Sequence, residues 1–334
     1  MAAITASRPF PQWYSGNGVP VYESAMPTPP SEWRPTHFAY HAVAHIDLLG
    51  QTEALERLDA VPLPCTEEQL LPALRATAVP VVELRKFFVN YFKTTSGPTD
   101  VLGTLPPDQR EAAERLRIQD VVLRSWSDTT VVTVPLRNVD NPLIPRLADV
   151  YRTMIATAGT TLCFLAGGPR LLLRGGIDVG KAIDLPVILG MPDTNEIYGA
   201  VIGRAYVLEA KIAQYPRVVV GDTLLKMLES VELHASDADA AWQYAARMAR
   251  PCRELLILDP LDGRPMLDFL GPEVRRMAGV TLDQLRAARD FIKSTHERFI
   301  RERNDTLAAR YGRLLDYCQS SVSSAEGEVN VSSS

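Results

Sequence analysis

Apolar and polar residues alternate between residues 38 and 49, the pattern of a β-strand whose two faces differ. One predicted face is apolar and the other carries two polar side chains (Ala42, Ala44, Ile46 and Leu48 against Val43, His45 and Asp47). Gly50 then permits a tight turn, and residues 51–58 have the pattern of a helix with Thr52 as its N-cap. Asp47 is therefore expected at a strand end, beside backbone N–H groups of the kind that favour anions.

A second acidic residue occupies a similar position further along the chain. Apolar residues at 121–123 and 131–134 flank a short polar stretch, which predicts a hairpin with Asp128 near its tip. Two carboxylates at strand ends can share a hard cation that bridges a triphosphate. The alternative for each is that it only terminates its strand or caps a turn, because Asp is common there. His45 is either a partner of Asp47 or a half-buried structural histidine.

The remaining pattern divides the chain into four parts. Residues 1–36 are rich in proline and predict a surface or disordered arm, and residues 37–272 form the main body. Residues 273–319 predict a C-terminal helical segment, because an apolar stripe at helical spacing runs through charged residues there. Residues 320–334 are rich in serine and predict a disordered tail.

Two features stand out within the main body. A helical insertion is expected at about 60–117, with separate helices predicted at 67–76, 81–91 and 107–117. Residues 254–259 and 264–269 predict an antiparallel hairpin, because the turn residues Asp262 and Gly263 lie between two apolar runs.

Composition narrows the class of protein. The 334 residues, 46% of them hydrophobic, suffice for one large core or two smaller ones. No apolar run is long enough to span a membrane, and the N-terminus lacks an export signal. The four cysteines lie far apart without metal-ligand spacing, as expected of reduced thiols in the cytoplasm. A net charge of -5 argues against nucleic acid as a partner.

A glycine-rich stretch at 175–182 nearly satisfies the phosphate-loop pattern, which requires Gly, four residues, Gly-Lys and then Ser or Thr. Ala182 stands at the last position and has no hydroxyl for magnesium. The residues that follow also lack the pattern of a phosphate-binding helix. A strand that runs through the glycines from about residue 170 is the prediction that we prefer.

Four motifs in order resemble one known family. Residues 47–52 read Asp-Leu-Leu-Gly-Gln-Thr, against Asp-Ile-x-Gly-Phe-Thr in the family, and residues 124–128 stand where the family has Lys-Thr-x-Gly-Asp. Residues 173–180 match a Leu-Arg-x-Gly-Ile-x-x-Gly strand, and residues 198–209 match a Tyr-Gly helix that ends in Leu-Glu. Over residues 38–271 the chain thus resembles the class III nucleotidyl cyclase catalytic domain, the fold of adenylate and guanylate cyclases.

The resemblance implies an α+β, ferredoxin-like fold with a mostly antiparallel sheet and helices on one side, here followed by a long C-terminal helix. It also implies a reaction in which a nucleoside triphosphate becomes a 3',5'-cyclic nucleotide and pyrophosphate. Two Mn²⁺ or Mg²⁺ ions would be held by Asp47 and Asp128, with help from the Leu48 carbonyl. Backbone N–H groups of Gly50, Gln51 and Thr52 would hold the β- and γ-phosphates.

The family reads the base with a Lys and an Asp, and these positions hold Arg124 and Glu196 here. Both keep their charge sign but change shape, so the resemblance implies a base other than adenine. The alternative is that these two residues form a surface ion pair or are solvated separately.

Two further positions depart from the family. Its helical Asn and Arg, which contact the ribose and the α-phosphate, are Gly203 and Val207 here. Arg204 compensates only if the helix register differs, because adjacent helix positions diverge by about 100°.

The resemblance implies a homodimer with active sites shared between subunits. Among relatives, the stand-alone pyrimidine cyclases of phage defence are the branch that this pattern resembles most, which favours UTP or CTP as substrate and a role in antiviral signalling. The main alternative is a degenerate cyclase-homology domain that binds a nucleotide or a partner without catalysis. An unrelated phosphatase, nuclease or scaffold is a third hypothesis.

Overall fold

The computed structural model describes residues 38–95, 107, 121–136, 146–168, 170–185, 196–236 and 240–332. The predicted N-terminal arm lies outside these ranges. So does the helix predicted at 107–117, apart from its first residue.

Eight strands and ten α-helices make up the described part of the chain. The strands are β1 (Phe38–Leu48), β2 (Val122–Trp126), β3 (Thr129–Pro135), β4 (Leu173–Asp184), β5 (Ile197–Tyr198), β6 (Val218–Val220), β7 (Leu256–Leu258) and β8 (Pro265–Leu267). The helices are α1 (Thr52–Asp59), α2 (Glu67–Ala76), α3 (Ala78–Thr94), α4 (Leu147–Leu162), α5 (Ala200–Val207), α6 (Asp222–Glu232), α7 (Ala240–Glu254), α8 (Pro272–Ala278), α9 (Leu282–Arg301) and α10 (Asp305–Ser332). Single π-helical turns extend α4 over Cys163–Gly167 and α5 over Leu208–Ile212.

The strands form one sheet in the order β2-β3-β1-β4-β6-β8-β7, with β5 paired to β4. All pairings are antiparallel except that of β4 with β6. The first four strands thus have the β2-β3-β1-β4 order of a ferredoxin-like unit, in which β1 lies between two later strands. The protein is therefore α+β with a mostly antiparallel sheet and a long C-terminal helix, as the sequence predicts.

The two faces of the sheet have different coverings. Strand alternation places Ala42, Ala44 and Ile46 in the main hydrophobic core, where α3 and α4 pack over the sheet. The opposite face carries His45 and Asp47 and is covered in part by α5, which packs against a smaller apolar cluster around Val43. The polar residues of β1 therefore lie on the α5 face, away from the main core.

Glycines of β4 allow α5 to lie very close to the sheet. A side chain at position 176 would overlap the Ala205 carbonyl and come within 2.8 Å of the Glu209 amide nitrogen. The stretch at 175–182 is thus the interior of a strand, as predicted, and its glycines make room for a helix.

Several predicted elements have the expected bounds and others differ. Helix α2 has its predicted bounds, and the 254–269 segment forms the β7–β8 hairpin. Helix α1 begins at Thr52, so the N-cap is Gln51 instead of Thr52. The predicted disordered tail is wrong for residues 320–332, because α10 continues to Ser332 and buries Val322 and Ala325 in the main core.

Within the described ranges, no helix combines the length and the apolar character needed to cross a membrane.

Candidate functional site

Asp47 lies at the end of β1 between two polar cross-strand neighbours. Its direct partners are Thr129 on β3 and Arg174 on β4. The Thr129 hydroxyl donates to Oδ1 of Asp47 at 3.1 Å. Arg174 approaches the other oxygen, Oδ2, through Nη2 at 3.0 Å and donates from Nε at 3.2 Å. The Asp47 side chain is 13% exposed, so this carboxylate lies at the edge of the solvent.

A second carboxylate, Glu209, approaches the same arginine from the helix side. It lies on the π-helical turn after α5 and is only 3% exposed. Its Oε1 lies 2.5 Å from Nε of Arg174, and its Oε2 lies 3.4 Å from Nδ1 of His45. The His45 ring contacts Tyr206 edge-on at 5.4 Å between centroids. Arg174 therefore lies between the carboxylates of Asp47 and Glu209.

The electrostatic surroundings of Asp47 disfavour its charged form. Burial raises the pKa of Asp47 above its ordinary value, and the negative charge of Glu209 raises it further. The positive charge of Arg174 lowers this pKa, the charge of Asp128 raises it, and the hydrogen bond from Thr129 lowers it. The balance is a raised pKa, caused first by burial, and a cation beside Asp47 would favour its charged form.

Asp128 occupies the predicted position at the tip of the β2–β3 hairpin. The turn is tight, with Ser127 at φ 56°, and Asp128 is partly buried. Asp128 directly precedes Thr129, the cross-strand partner of Asp47, and its negative charge raises the pKa of Asp47. Leu48, predicted to offer its carbonyl, is the last residue of β1 and has a buried side chain.

The turn that is predicted to bind phosphate, residues 50–52, lies between the end of β1 and the start of α1. Gly50 has φ 83°, a left-handed conformation that suits glycine, and it is exposed together with Thr52. Gln51 is buried and forms the N-cap of α1 through its backbone. The Gln51 side chain makes no cap hydrogen bond, so it does not compete with a ligand for the first N–H groups of this helix.

The predicted base-reading residues lie far apart within one chain. Arg124 lies on the Asp47 face and donates to the Thr133 hydroxyl at 2.7 Å. Glu196 is exposed next to β5, which pairs with the far end of β4. From Arg174 to Ile183 that strand rises roughly 30 Å, at about 3.3 Å per residue. One chain does not bring Glu196 to Asp47.

The helix positions that depart from the family motif have no polar role at the site. Gly203 is exposed, and a side chain there would meet no described atom within 4 Å, while Val207 is an exposed apolar residue. Arg204 donates from Nε to Oδ2 of Asp178 at 2.6 Å and from Nη2 to the Val179 carbonyl at 2.9 Å. Its guanidinium holds α5 to β4, a use that differs from the predicted contact with substrate.

Two charged residues of the site were not predicted as site residues. Arg174 and Glu209 both lie in the motifs that carry the family resemblance, but the sequence gives neither a partner. The one available signal was the position of Arg174 directly beside the glycines at 175 and 176, at the start of the strand. The role of Glu209 depends on how α5 docks on the sheet.

The carboxylates fit a cation that arrives with its substrate. Among the described residues, no group of three or more His, Cys, Asp or Glu side chains is arranged to hold a metal by itself. Mg²⁺ is commonly bound by one or two carboxylates together with substrate phosphates, and such a site needs no complete protein cage. Asp47 and Asp128 meet that requirement.

A cavity of about 650 Å³ lies elsewhere, between the β7–β8 hairpin, the start of α8 and helix α10. Its walls are largely apolar, and none of the predicted site residues lines it. The candidate site lies instead at the end of the central strand β1, where the Asp47 side chain is 13% exposed.

No protein-family model matches the chain, and neither a curated protein nor a solved structure matches it. The cyclase resemblance therefore depends on the sequence motifs and on the geometry of the residues described above.

Proposed function

We propose that this protein is a metal-dependent nucleotidyl cyclase, which converts a nucleoside triphosphate into a 3',5'-cyclic nucleotide and pyrophosphate. The observation that carries the proposal is the position of Asp47 at the end of β1, across from Thr129, with Asp128 in the turn that directly precedes Thr129 and raising the pKa of Asp47. Two carboxylates that repel each other at a solvent edge are suited to a divalent cation.

Each part of the site has a task in this proposal. Asp47 and Asp128 hold the cations, assisted by the Leu48 carbonyl, and the N–H groups of residues 50–52 bind the β- and γ-phosphates. When bound, Mn²⁺ or Mg²⁺ supplies the positive charge that lowers the pKa of the attacking 3'-hydroxyl and offsets charge on the phosphates. The side chains orient the triphosphate so that this hydroxyl faces its own α-phosphate.

The substrate and the assembly follow from Arg124 and Glu196. A guanidinium and a longer carboxylate in place of Lys and Asp favour a base other than adenine, and we propose a pyrimidine triphosphate, UTP or CTP. Because Glu196 lies far from Asp47 within one chain, a second subunit must supply it, and the proposed enzyme is a homodimer. We further propose a cytoplasmic enzyme whose product, cUMP or cCMP, acts as an antiviral signal.

A second candidate is a cyclase-like domain that binds a nucleotide without turnover. Gly203 and Val207 favour it, since neither side chain can donate a hydrogen bond to the ribose or the α-phosphate. Loss of one such donor typically slows a reaction by about a hundredfold or more. A binding domain has no need of these donors.

Product analysis separates the two candidates. The purified protein is incubated with Mn²⁺ or Mg²⁺ and each of ATP, GTP, CTP and UTP, and cyclic nucleotides are measured by mass spectrometry. We expect a cyclic product from UTP or CTP, and we expect Asp47→Asn and Asp128→Asn each to lower its rate by about a hundredfold or more.

Asp283→Asn is the matched control, because Asp283 is an exposed acid on α9 that forms an ion pair with Arg286. Its rate should equal that of the unchanged protein. A folded protein that makes no cyclic product from any of the four triphosphates would support the binding domain instead.

A further inference from the structure

Two acidic side chains, Asp47 and Glu209, contact one arginine, Arg174, at the proposed site. The negative charges of Glu209 and of Asp128 each raise the pKa of Asp47, so three acidic residues contribute to the local charge. Arg174 lies within ion-pair distance of two of them. Its side chain is 25% exposed, so it can change position more easily than a buried arginine could.

The contacts of Arg174 are unequal. The Nε atom of Arg174 carries a single hydrogen, which it donates to Oδ2 of Asp47 at an N–O distance of 3.2 Å. Oε1 of Glu209 lies nearer, at 2.5 Å, but has no hydrogen-bond partner within the described part of the chain. Glu209 is thus a buried acceptor beside a donor that points elsewhere. Such an acceptor is costly to leave unsatisfied.

Glu209 itself is held in place. The close approach of α5 to Gly176 fixes the backbone at residue 209, and His45 lies beside its other oxygen at 3.4 Å. A small rotation of the guanidinium would therefore exchange a hydrogen bond to Asp47 for one to Glu209. The arginine has two alternative partners at nearly the same position.

From this geometry we infer that Arg174 is a two-position counter-ion of the proposed cation site. It neutralises Asp47 when no divalent cation is present, and it turns to Glu209 when a cation takes its place on Asp47. The inference depends on the proposed function, because it assumes that Asp47 binds a cation. Arg174 and Glu209 are positioning residues that set the affinity for the cation.

Binding of Mn²⁺ alone tests this arrangement without any need for activity. Affinity is measured from the electron paramagnetic resonance signal of unbound Mn²⁺ during titration of the full chain. Arg174→Gln removes the competitor, so we expect binding about tenfold tighter, whereas Glu209→Gln removes the alternative partner, so we expect binding about tenfold weaker.

The double variant distinguishes a positional exchange from a general field effect. If Glu209 acts by receiving Arg174, then Glu209→Gln should change Mn²⁺ affinity by less than about twofold once Arg174 is already Gln. Equal losses in both backgrounds would mean that Glu209 acts only through its charge, and would overturn the two-position mechanism. Arg253→Gln is the matched control, because the Arg253 guanidinium pairs with Glu232 of α6, and its Mn²⁺ affinity should stay unchanged.

Folding and the metal premise are checked separately. Circular dichroism establishes that each variant is folded. Should Arg174→Gln not fold, Arg174→Lys keeps the charge but loses the forked contact, and we expect about threefold tighter binding. Unchanged or weaker Mn²⁺ binding in the folded variant overturns the inference alone. Failure of the unchanged protein to bind Mn²⁺ overturns the metal site of the proposed function as well.

Discussion

Arg217 shows how a buried charge is satisfied in this protein. Its side chain is almost fully buried, pairs with Asp259, and makes two hydrogen bonds to Asp262 at 3.1 and 2.7 Å. The ring of Tyr215 lies 4.7 Å from the guanidinium carbon. The hydrogen bonds from Arg217 hold the pKa of Asp262 below its usual value. The β7–β8 turn is thereby tied to the strand β6.

Asp262→Asn should weaken the fold at neutral pH and lose that effect in acid. A lowered pKa in the folded state stabilises the protein above 3.8, and the contribution disappears as the pH falls through the lower folded value. Because the side chain is 38% exposed, solvent screens part of the interaction, and we expect a loss of about 0.5–1 kcal/mol. Urea unfolding at neutral pH and at a series of acidic values measures this difference.

Asp268 provides the opposite case. Burial raises the pKa of Asp268, so its ionisation works against folding as the pH rises. The unchanged protein should therefore lose stability relative to the Asp268→Asn variant as the pH rises. If the stability of Asp262→Asn and of Asp268→Asn, each relative to the unchanged protein, changed with pH in the same direction, this would contradict our assignment of Arg217 as the cause of the lowered pKa of Asp262.

The contact between α5 and β4 is the element on which the site depends. The helix lies over Gly176 so closely that a side chain there overlaps its backbone, and the same contact places Glu209 beside Arg174. At Gly176 the backbone of the helix therefore lies directly against the strand. Because the contact is close-packed and Glu209 directly follows α5, a displacement of the helix would also displace Glu209.

Gly176→Ala should destabilise the protein by about 3 kcal/mol or more, because the helix backbone cannot move aside cheaply. Gly203→Ala, on helix α5 itself, is the matched control, because an added side chain there would meet no described atom within 4 Å. There we expect a gain of up to about 1 kcal/mol from helix propensity. Urea unfolding of both variants tests the pair, and similar stabilities would contradict the close contact.

The last helix supplies a second contrast. Val322 is buried in the main core, and its neighbour Ser323 is exposed. Val322→Asp should cost about 3 kcal/mol or more, since it buries a carboxylate, while Ser323→Asp should stay within about 0.5 kcal/mol. Thermal unfolding of the two variants measures this. Two neutral substitutions would favour the disordered tail that composition alone predicts.

Local patterns predicted much of the fold. Helix α2, the two hairpins and the faces of β1 follow from periodicity, which each segment displays on its own. The end of α10 was missed because serine-rich composition outweighed the apolar spacing at residues 315, 318, 322 and 325. Tertiary burial stabilises that segment despite its low intrinsic propensity.

The candidate site was predictable only in part, for a related reason. Asp47 and Asp128 lie at the ends of apolar runs, and the alternation of apolar and polar residues predicts these strand ends directly. The partnership of Arg174 with Glu209 depends on strand register and on the docking of α5, and both are long-range properties. Arg204 was a candidate substrate contact only if the register of α5 differed, and the partner that the structure gives it is Asp178.

The proposed dimer is a property of the whole molecule. If each site combines Asp47 of one subunit with Glu196 of the other, a heterodimer of Asp47→Asn and Glu196→Gln chains has one intact site. Such a heterodimer, isolated through two different affinity tags, should retain about half of the activity of the unchanged dimer.

Each homodimer of these two variants should be inactive. If the site lay within one chain, the heterodimer would be inactive as well, and this outcome would contradict a shared site. Light scattering after gel filtration, which gives the mass of the assembly, is the accompanying measurement.

The central place of β1 in the sheet has a consequence for synthesis on the ribosome. Its two neighbours come later in the chain, since the partners of Asp47 stand 82 and 127 positions further on. At roughly 5–20 residues per second, Arg174 is made on the order of ten seconds after Asp47. Strand β1 is thus made before both of the strands that pair with it, and the native sheet cannot form until β4 has left the exit tunnel.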